Sequence, residues 1–321
     1  MKSPIPSALI SFPGAGAVTA LAAIFLLCHH VIGARKHRPR RVGRAEERVL
    51  VLGASSGLGR TLVRQYTARG AKVCAVARRS EPLLELAREC GDRCLPMVAD
   101  ITIAEDMAGL REQLLRQWDG LDTLHICAGV SAVQPVMTLA GIQSGDQDPE
   151  VAGIQHVATM AERATKGNFF GPLVAAVTFI PMLKRTSDAP AILLVSSVAA
   201  VVPAPTRALY GASKAASLLF FQSLAIEHPQ IAFTCVLPAT IEGNFRSSAV
   251  DCDPSQQEDE TKKKGLKLDF VAGRCVDAVD QGLRGSVVIP KFPYSVAQHL
   301  YYIWPSFIEG KAREKYNFVA S

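Results

Sequence analysis

The feature that most constrains this chain is a glycine-rich turn set between a short apolar run and a helical pattern. Arg48–Leu52 reads RVLVL, Gly53-Ala54-Ser55-Ser56-Gly57-Leu58-Gly59 follows at once, and Arg60–Arg69 reads as a helix. A strand that turns so sharply into a helix leaves few architectures open, chiefly a parallel sheet covered by helices. Gly53 allows the tight turn, Gly57 lets the backbone approach a pyrophosphate, and Gly59 lets helix and strand pack closely. The helix N-terminus then offers unpaired N–H groups and a positive dipole to phosphates. Ser55, Ser56 and Leu58, between these glycines, share the expected nucleotide contact. The spacing is G-x3-G-x-G, not G-x-G-x-x-G.

Downstream, β-rich runs alternate with longer helical patterns. Strands are expected at Lys72–Ala77, Cys94–Ala99, Thr123–Ala128, Ala191–Ser196, Ile231–Leu237 and Ser286–Ile289. Helices are expected at Pro82–Cys90, Ala104–Trp118, Val151–Leu183, Arg207–Glu227 and Val271–Gly282. The fold class that follows is α/β, a Rossmann-type doubly wound parallel sheet in a single domain. Two segments, Val130–Pro149 and Asn244–Leu268, read as loops at the C-terminal end of the sheet, where ligands bind. Cys90 and Cys94 have no second pair of ligands, so no metal site is expected.

The end of the second strand is where a dinucleotide site reads the adenosine ribose. A carboxylate there holds the 2′-hydroxyl of NAD, whereas arginine pairs with the 2′-phosphate of NADP. Here the strand ends Val76-Ala77-Arg78-Arg79, so Arg78 points to NADP(H) over NAD(H). Asp100, ending the third strand, either accepts a hydrogen bond from the adenine amine or caps the next helix.

Tyr210-Gly211-Ala212-Ser213-Lys214 is the most informative stretch. Tyr and Lys at i, i+4 share a helix face. A phenol with pKa near ~10 needs a nearby cation to work as an acid–base group at neutral pH. Lys214 supplies one, and Ser197, at the end of its strand, offers a hydroxyl to hold a carbonyl. With the glycine loop, this set resembles the short-chain dehydrogenase/reductase family, over about Arg48 to Pro290. The match rests on Gly53, Gly57, Gly59, Asp100, Ala128-Gly129, Asn168, Ser197, Tyr210 and Lys214 in the family's order.

The resemblance implies hydride transfer between NAD(P)H and a carbonyl or secondary alcohol. It gives Tyr210 the role of general acid in reduction, and Ser197 that of polarising the carbonyl. Lys214 would bind the nicotinamide ribose and lower the Tyr210 pKa, and Asn168 would hold a water beside the lysine. Ala128 and Gly129, with Tyr210 and Lys214, complete the implied cofactor contacts. The chain also departs from the family pattern. Leu52 replaces the Thr before the first glycine, Cys127 replaces the Asn of N-A-G, Ala239 stands at a usual Pro-Gly, and Gly243 stands at a frequent Thr. The first two ordinarily tie the cofactor loop to the fourth strand; losing both leaves neither unsatisfied, and a hydrophobic contact is expected in their place.

Charge bears on location. The net charge is +6, but residues 1–44 hold seven basic residues and no acidic one, leaving 28 basic against 29 acidic residues in the body. The basic excess is therefore no sign of a nucleic-acid surface. Ala15–Ile32 is an 18-residue apolar stretch ahead of the basic run Arg35–Arg44, close to the ~20 residues that span a bilayer. Basic flanks stay cytoplasmic, so the expectation is an N-terminal transmembrane anchor in residues 1–44, with the body facing the cytosol. The early prolines Pro4, Pro6 and Pro13 leave a hairpin insertion as the alternative; a cleaved signal peptide is disfavoured by the poor site Val31-Ile32-Gly33.

Residues 45–290 form the expected cofactor-binding domain, and 291–321 an aromatic C-terminal segment. Phe292–Phe307, with Lys311 and Arg313 behind it, resembles the membrane-anchored hydroxysteroid-dehydrogenase-like branch. It reads either as an interfacial segment or as a cover for the core or a dimer partner. The resemblance implies an endoplasmic reticulum membrane, or alternatively a lipid droplet, and a lipophilic ketone or alcohol, steroid- or retinoid-like. A 3-ketosphinganine-type reductase is the enzymatic alternative, and a cofactor-binding scaffold or sensor the non-enzymatic one. A homodimer through the helices bearing Asn168 and Tyr210 is also implied.

Overall fold

Alternate residues of the first strand go to opposite apolar layers, and this organises the whole body. In the computed structural model, which describes residues 41–142, 147–252 and 265–318, β1 is Arg48–Leu52. Val49 and Val51 join one core layer and Leu50 and Leu52 the other. All four are fully buried, as expected for a strand covered on both faces.

The remaining strands are β2 (Lys72–Ala77), β3 (Cys94–Val98), β4 (Thr123–Ile126), β5 (Ala191–Val195), β6 (Ala232–Pro238) and β7 (Gly285–Ile289). They form one parallel sheet in the order β3-β2-β1-β4-β5-β6-β7. The chain reverses its direction of travel across the sheet at β1 and β4, which makes their C-terminal ends the switch point. The doubly wound parallel sheet expected from the sequence is the one observed.

Helices α1 (Gly57–Ala68), α2 (Ser80–Cys90) and α8 (Leu268–Asp280) supply Leu62, Val63, Leu83, Val271 and Val279 to one layer. Helices α3 (Ala104–Trp118), α6 (Gly171–Thr186) and α7 (Ala208–Glu227) supply Met107, Leu110, Phe179, Leu183 and Phe221 to the other. Between them lie the one-turn α4 (Val136–Leu139) and α5 (Val151–Thr165). The long helix expected at Val151–Leu183 is interrupted by a widened π turn, Lys166–Phe170.

Among the described residues, the combined run Val151–Thr186 is long and apolar enough to cross a membrane, but half of its apolar window is buried in the body, as in a core helix. The anchor expected at Ala15–Ile32 lies outside the described residues. Two C-terminal helices, α9 (Tyr294–Ile303) and α10 (Pro305–Tyr316), pack against each other.

The two loops expected to border a ligand are stitched together. Ser131 and Ala249 form a bridge, Val250 N–H donates to Ser131 O at 2.9 Å, and the buried Asp251 carboxylate accepts from Val133 N (2.7 Å) and Gln134 N (2.8 Å). A short turn, Phe245–Ser248, precedes that junction and overhangs the C-terminal end of the sheet.

Candidate active site

A cleft of about 1170 Å³ runs along the C-terminal ends of the strands. At one end are the glycine turn and the tips of β2 and β3; at the other are α7, the 244–248 turn and α9–α10. Gly53, with φ +92°, must be glycine on two counts, because a Cβ there would also sit 2.5 Å from the Ala128 nitrogen. Gly57, at φ +52°, faces open space. Ser56, the N-cap of α1, makes no side-chain cap, which leaves the first-turn N–H groups to a ligand. The turn is therefore a cradle that fits a pyrophosphate, and Gly53, Ser55, Ser56, Gly57, Leu58 and Gly59 all line the cleft.

The tie between this turn and β4 is made by backbone. The Leu52 carbonyl accepts from both Cys127 N (2.8 Å) and Ala128 N (2.9 Å). Leu52 itself packs in one apolar layer and Cys127 lies against the other, so main-chain bonds, and not the expected hydrophobic contact, do the joining. Burial pushes the Cys127 thiol up to about 12, so it is uncharged at neutral pH.

At the far tip of β2 the two arginines separate. Arg79 donates to Ser55 Oγ at 3.1 Å, while Arg78, well exposed, lies 3.9 Å from Asp100. Sequence reasoning selected Arg78; the structure adds Arg79, which touches the glycine turn itself. Asp100 Oδ1 accepts from Thr102 N and Thr102 Oγ1, both at 2.9 Å, and the N-cap position of α3 is Ile103, with no side-chain cap.

The catalytic candidates meet at the middle of the cleft. Tyr210 and Ser197 line the cleft together, and the Ser197 Oγ accepts from Ala199 N at 3.1 Å. That acceptance leaves the Ser197 proton to donate toward the phenol oxygen. Burial raises the Tyr210 pKa, and Ser197, Arg207 and Arg246 pull it back down. The ring of Phe245 meets that of Tyr210 edge-on, with centroids 6.0 Å apart.

Lys214 donates to the Val195 carbonyl at 3.0 Å, and burial lowers its pKa to about 8. Asn168, fully buried in the π turn, accepts from Val130 N (2.9 Å) and donates to Val130 O (2.9 Å) and Ser213 Oγ (3.0 Å). Gly129 is the meeting point: a Cβ there would lie 2.8 Å from Asn168 Oδ1 and 3.1 Å from Lys214 Nζ. Ser197, Tyr210 and Lys214 thus line one strip of the cleft, brought there by β5 and α7, while Asn168 stands buried behind it in the π turn.

Residues 47–252 match the family model for short chain dehydrogenases. The chain is a short-chain dehydrogenase/reductase. The short-chain dehydrogenase/reductase relatives include the 11-beta-hydroxysteroid dehydrogenase-like 4A of Arabidopsis thaliana, 32% identical over 248 residues, 75% of each chain. Another is the dehydrogenase/reductase SDR family member 7B of Bos taurus, 28% identical over 265 residues, 78% of this chain and 76% of that one. Among solved structures, a short chain dehydrogenase from Burkholderia cenocepacia J2315 in complex with NADP is 25% identical, with TM-score 0.64 over 84% of this chain and 98% of the other. This short-chain dehydrogenase/reductase is thus an oxidoreductase of the hydroxysteroid-dehydrogenase-like branch that uses a nicotinamide cofactor and a small-molecule substrate.

Three further residues of the site carry no sequence motif. Arg207 lies just before α7; Phe245 and Tyr316 come from the overhanging turn and the last helix. Of these only Phe245 sits in a segment already marked as bordering a ligand, and Tyr316 is brought in purely by tertiary folding.

Proposed function

We propose that this chain is an NADP(H)-dependent oxidoreductase acting on a lipophilic ketone or secondary alcohol, steroid- or retinoid-like. The observation that carries this reading is the Tyr210–Ser197 pair, set in a cleft whose outer wall is the aromatic hairpin α9–α10. The bound nicotinamide supplies or takes up the hydride; the chain's own groups handle the proton and the oxygen. In reduction Ser197 donates a hydrogen bond to the substrate carbonyl and the Tyr210 hydroxyl delivers its proton to that oxygen. Lys214 bonds the nicotinamide ribose, and Asn168 holds the Val130 and Ser213 positions around it. Asp100, Ala128 and Gly129 line the cofactor half of the cleft. Arg78 and Arg79 receive the 2′-phosphate, which favours NADP(H).

Lipophilicity is read from the substrate end. Leu300, Phe307 and Ile308 line the cleft, while Tyr302, Ile303 and Trp304 on the same hairpin point outward and are exposed. The hairpin thus covers the cleft and also presents an aromatic edge with Lys311 and Arg313 behind it, the pattern of an interfacial segment. With the anchor at Ala15–Ile32, it would rest the body on the cytosolic face of the endoplasmic reticulum. In sealed microsomes, added protease would digest the body; a protected body would reverse the topology.

The functional reading is tested by supplying the purified full chain with NADPH or NADH and steroid, retinoid and sphingoid carbonyls. Turnover of a steroid or retinoid ketone with NADPH preferred is expected. Selective turnover of the 3-keto sphingoid base would redirect the substrate assignment, and no turnover of any carbonyl would overturn it.

A further inference from the structure

Two half-buried arginines pair with carboxylates, whereas the one buried arginine among the described residues does not. Arg48 pairs with Asp122 at 2.8 Å, and Arg69 pairs with Asp280 at 3.0 Å and with Glu47. Arg207, only 8% exposed, has no carboxylate partner among the described residues. Its Nη1 donates to Ser131 Oγ (3.3 Å) and Ala132 O (3.1 Å), both neutral, and Tyr316 lines the same end of the cleft. Burying a guanidinium without a counter-charge is costly, and a bound anion would offset that cost.

The position fits that use. Arg207 lines the cleft one turn ahead of Tyr210, close enough for its charge to act on the phenol. Lys315, which also lines this end, donates to Tyr294 Oη at 2.7 Å, again a neutral partner. Among the described lining residues the only carboxylates are Asp100, at the adenosine end, and Glu242, which is bonded to Lys267 (2.8 Å) and to Leu268 N. The substrate end is therefore apolar in its walls and cationic at one corner.

We propose that Arg207 is an anion subsite for the substrate, so that the molecule reduced or oxidised here is a lipophilic carbonyl or alcohol carrying a carboxylate on the same skeleton. The proposal rests on the oxidoreductase reading for the place of the reacting carbon, and it adds the substrate's charge. Seated with its carboxylate on the Arg207 fork and its carbonyl at Ser197 and Tyr210, such a substrate is held at two points, which fixes its direction in the cleft. Arg207 then does more than fasten the 130–132 loop.

The test measures binding by calorimetry to the full chain, saturated with NADP+ in detergent. The probes are a keto-substituted steroid carboxylate, a long-chain keto acid, and the methyl ester of each. The wild type is expected to prefer the acid of at least one pair by about tenfold or more. That preference should collapse toward unity in Arg207→Gln and be partly kept in Arg207→Lys, with NADP+ binding at the other end of the cleft reporting that the variants are folded. A purely structural role would weaken acid and ester alike and leave their ratio unmoved. No acid preference in the wild type, or one that survives Arg207→Gln, overturns the subsite. NADPH-dependent turnover of the esters without acid preference would remove the subsite alone; acid preference without hydride transfer to any carbonyl would keep the subsite and remove the oxidoreductase reading.

Discussion

Lys214 holds an ammonium where charge is expensive. Its Nζ is buried against the Val195 carbonyl, and its pKa falls from 10.5 to about 8. Below about pH 8 the folded and unfolded chains both carry this proton; between pH 8 and 10.5 only the unfolded chain does. Stability contributed by this position therefore rises with pH across that window, by up to about 1.4 kcal/mol per pH unit. Urea denaturation of wild type and Lys214→Met without cofactor, from pH 7 to 10, should show this rise in the wild type only; parallel curves would contradict the assignment.

Single residues were legible in the sequence when their chemistry demanded a fixed spacing. Tyr210 and Lys214 share a turn of helix, and the three glycines of the turn sit between a strand and a helix, so both could be read in one dimension. Arg79 and Arg207 could not. Their significance lies in what they touch or fail to touch, Ser55 in one case and no carboxylate in the other.

At the scale of elements, the strand Lys72–Ala77 and the helix Ala104–Trp118 have the bounds expected from hydrophobic period alone. The π turn Lys166–Phe170 was not legible, because the helical pattern runs through it without a break and one extra residue per turn leaves no compositional mark. Yet that turn is what directs Asn168 at Val130 and Ser213. Asn168→Ala would leave the part-buried Val130 N–H and C=O without their Asn168 partners, at a cost of up to about 1–3 kcal/mol for each group that water does not reach. A lowered urea midpoint with a loss of turnover is expected; an unchanged midpoint would mean that these bonds are replaced by others.

The described body is one parallel sheet buried on both faces, with its chemistry along the C-terminal ends of the strands. Alternating strand and helix patterns sufficed to foresee that plan, since a sheet covered on both sides has to write its strands as apolar runs. The roof of the cleft was harder, because the hairpin α9–α10 and the 244–248 turn are joined to the site by contacts between segments far apart in sequence. The basic excess of the chain belongs to its first 44 residues, while the charge that matters to chemistry is the local surplus at the substrate end of the cleft.

The central claim is that Tyr210, beside Ser197 in the cleft, exchanges the proton that accompanies hydride transfer. The direct measurement is single-turnover NADPH oxidation by the full chain with a carbonyl substrate, in wild type and in Tyr210→Phe. The variant should bind NADPH and react roughly 10²–10⁴-fold more slowly. A Tyr210→Phe protein that oxidises NADPH at the wild-type rate would contradict the account.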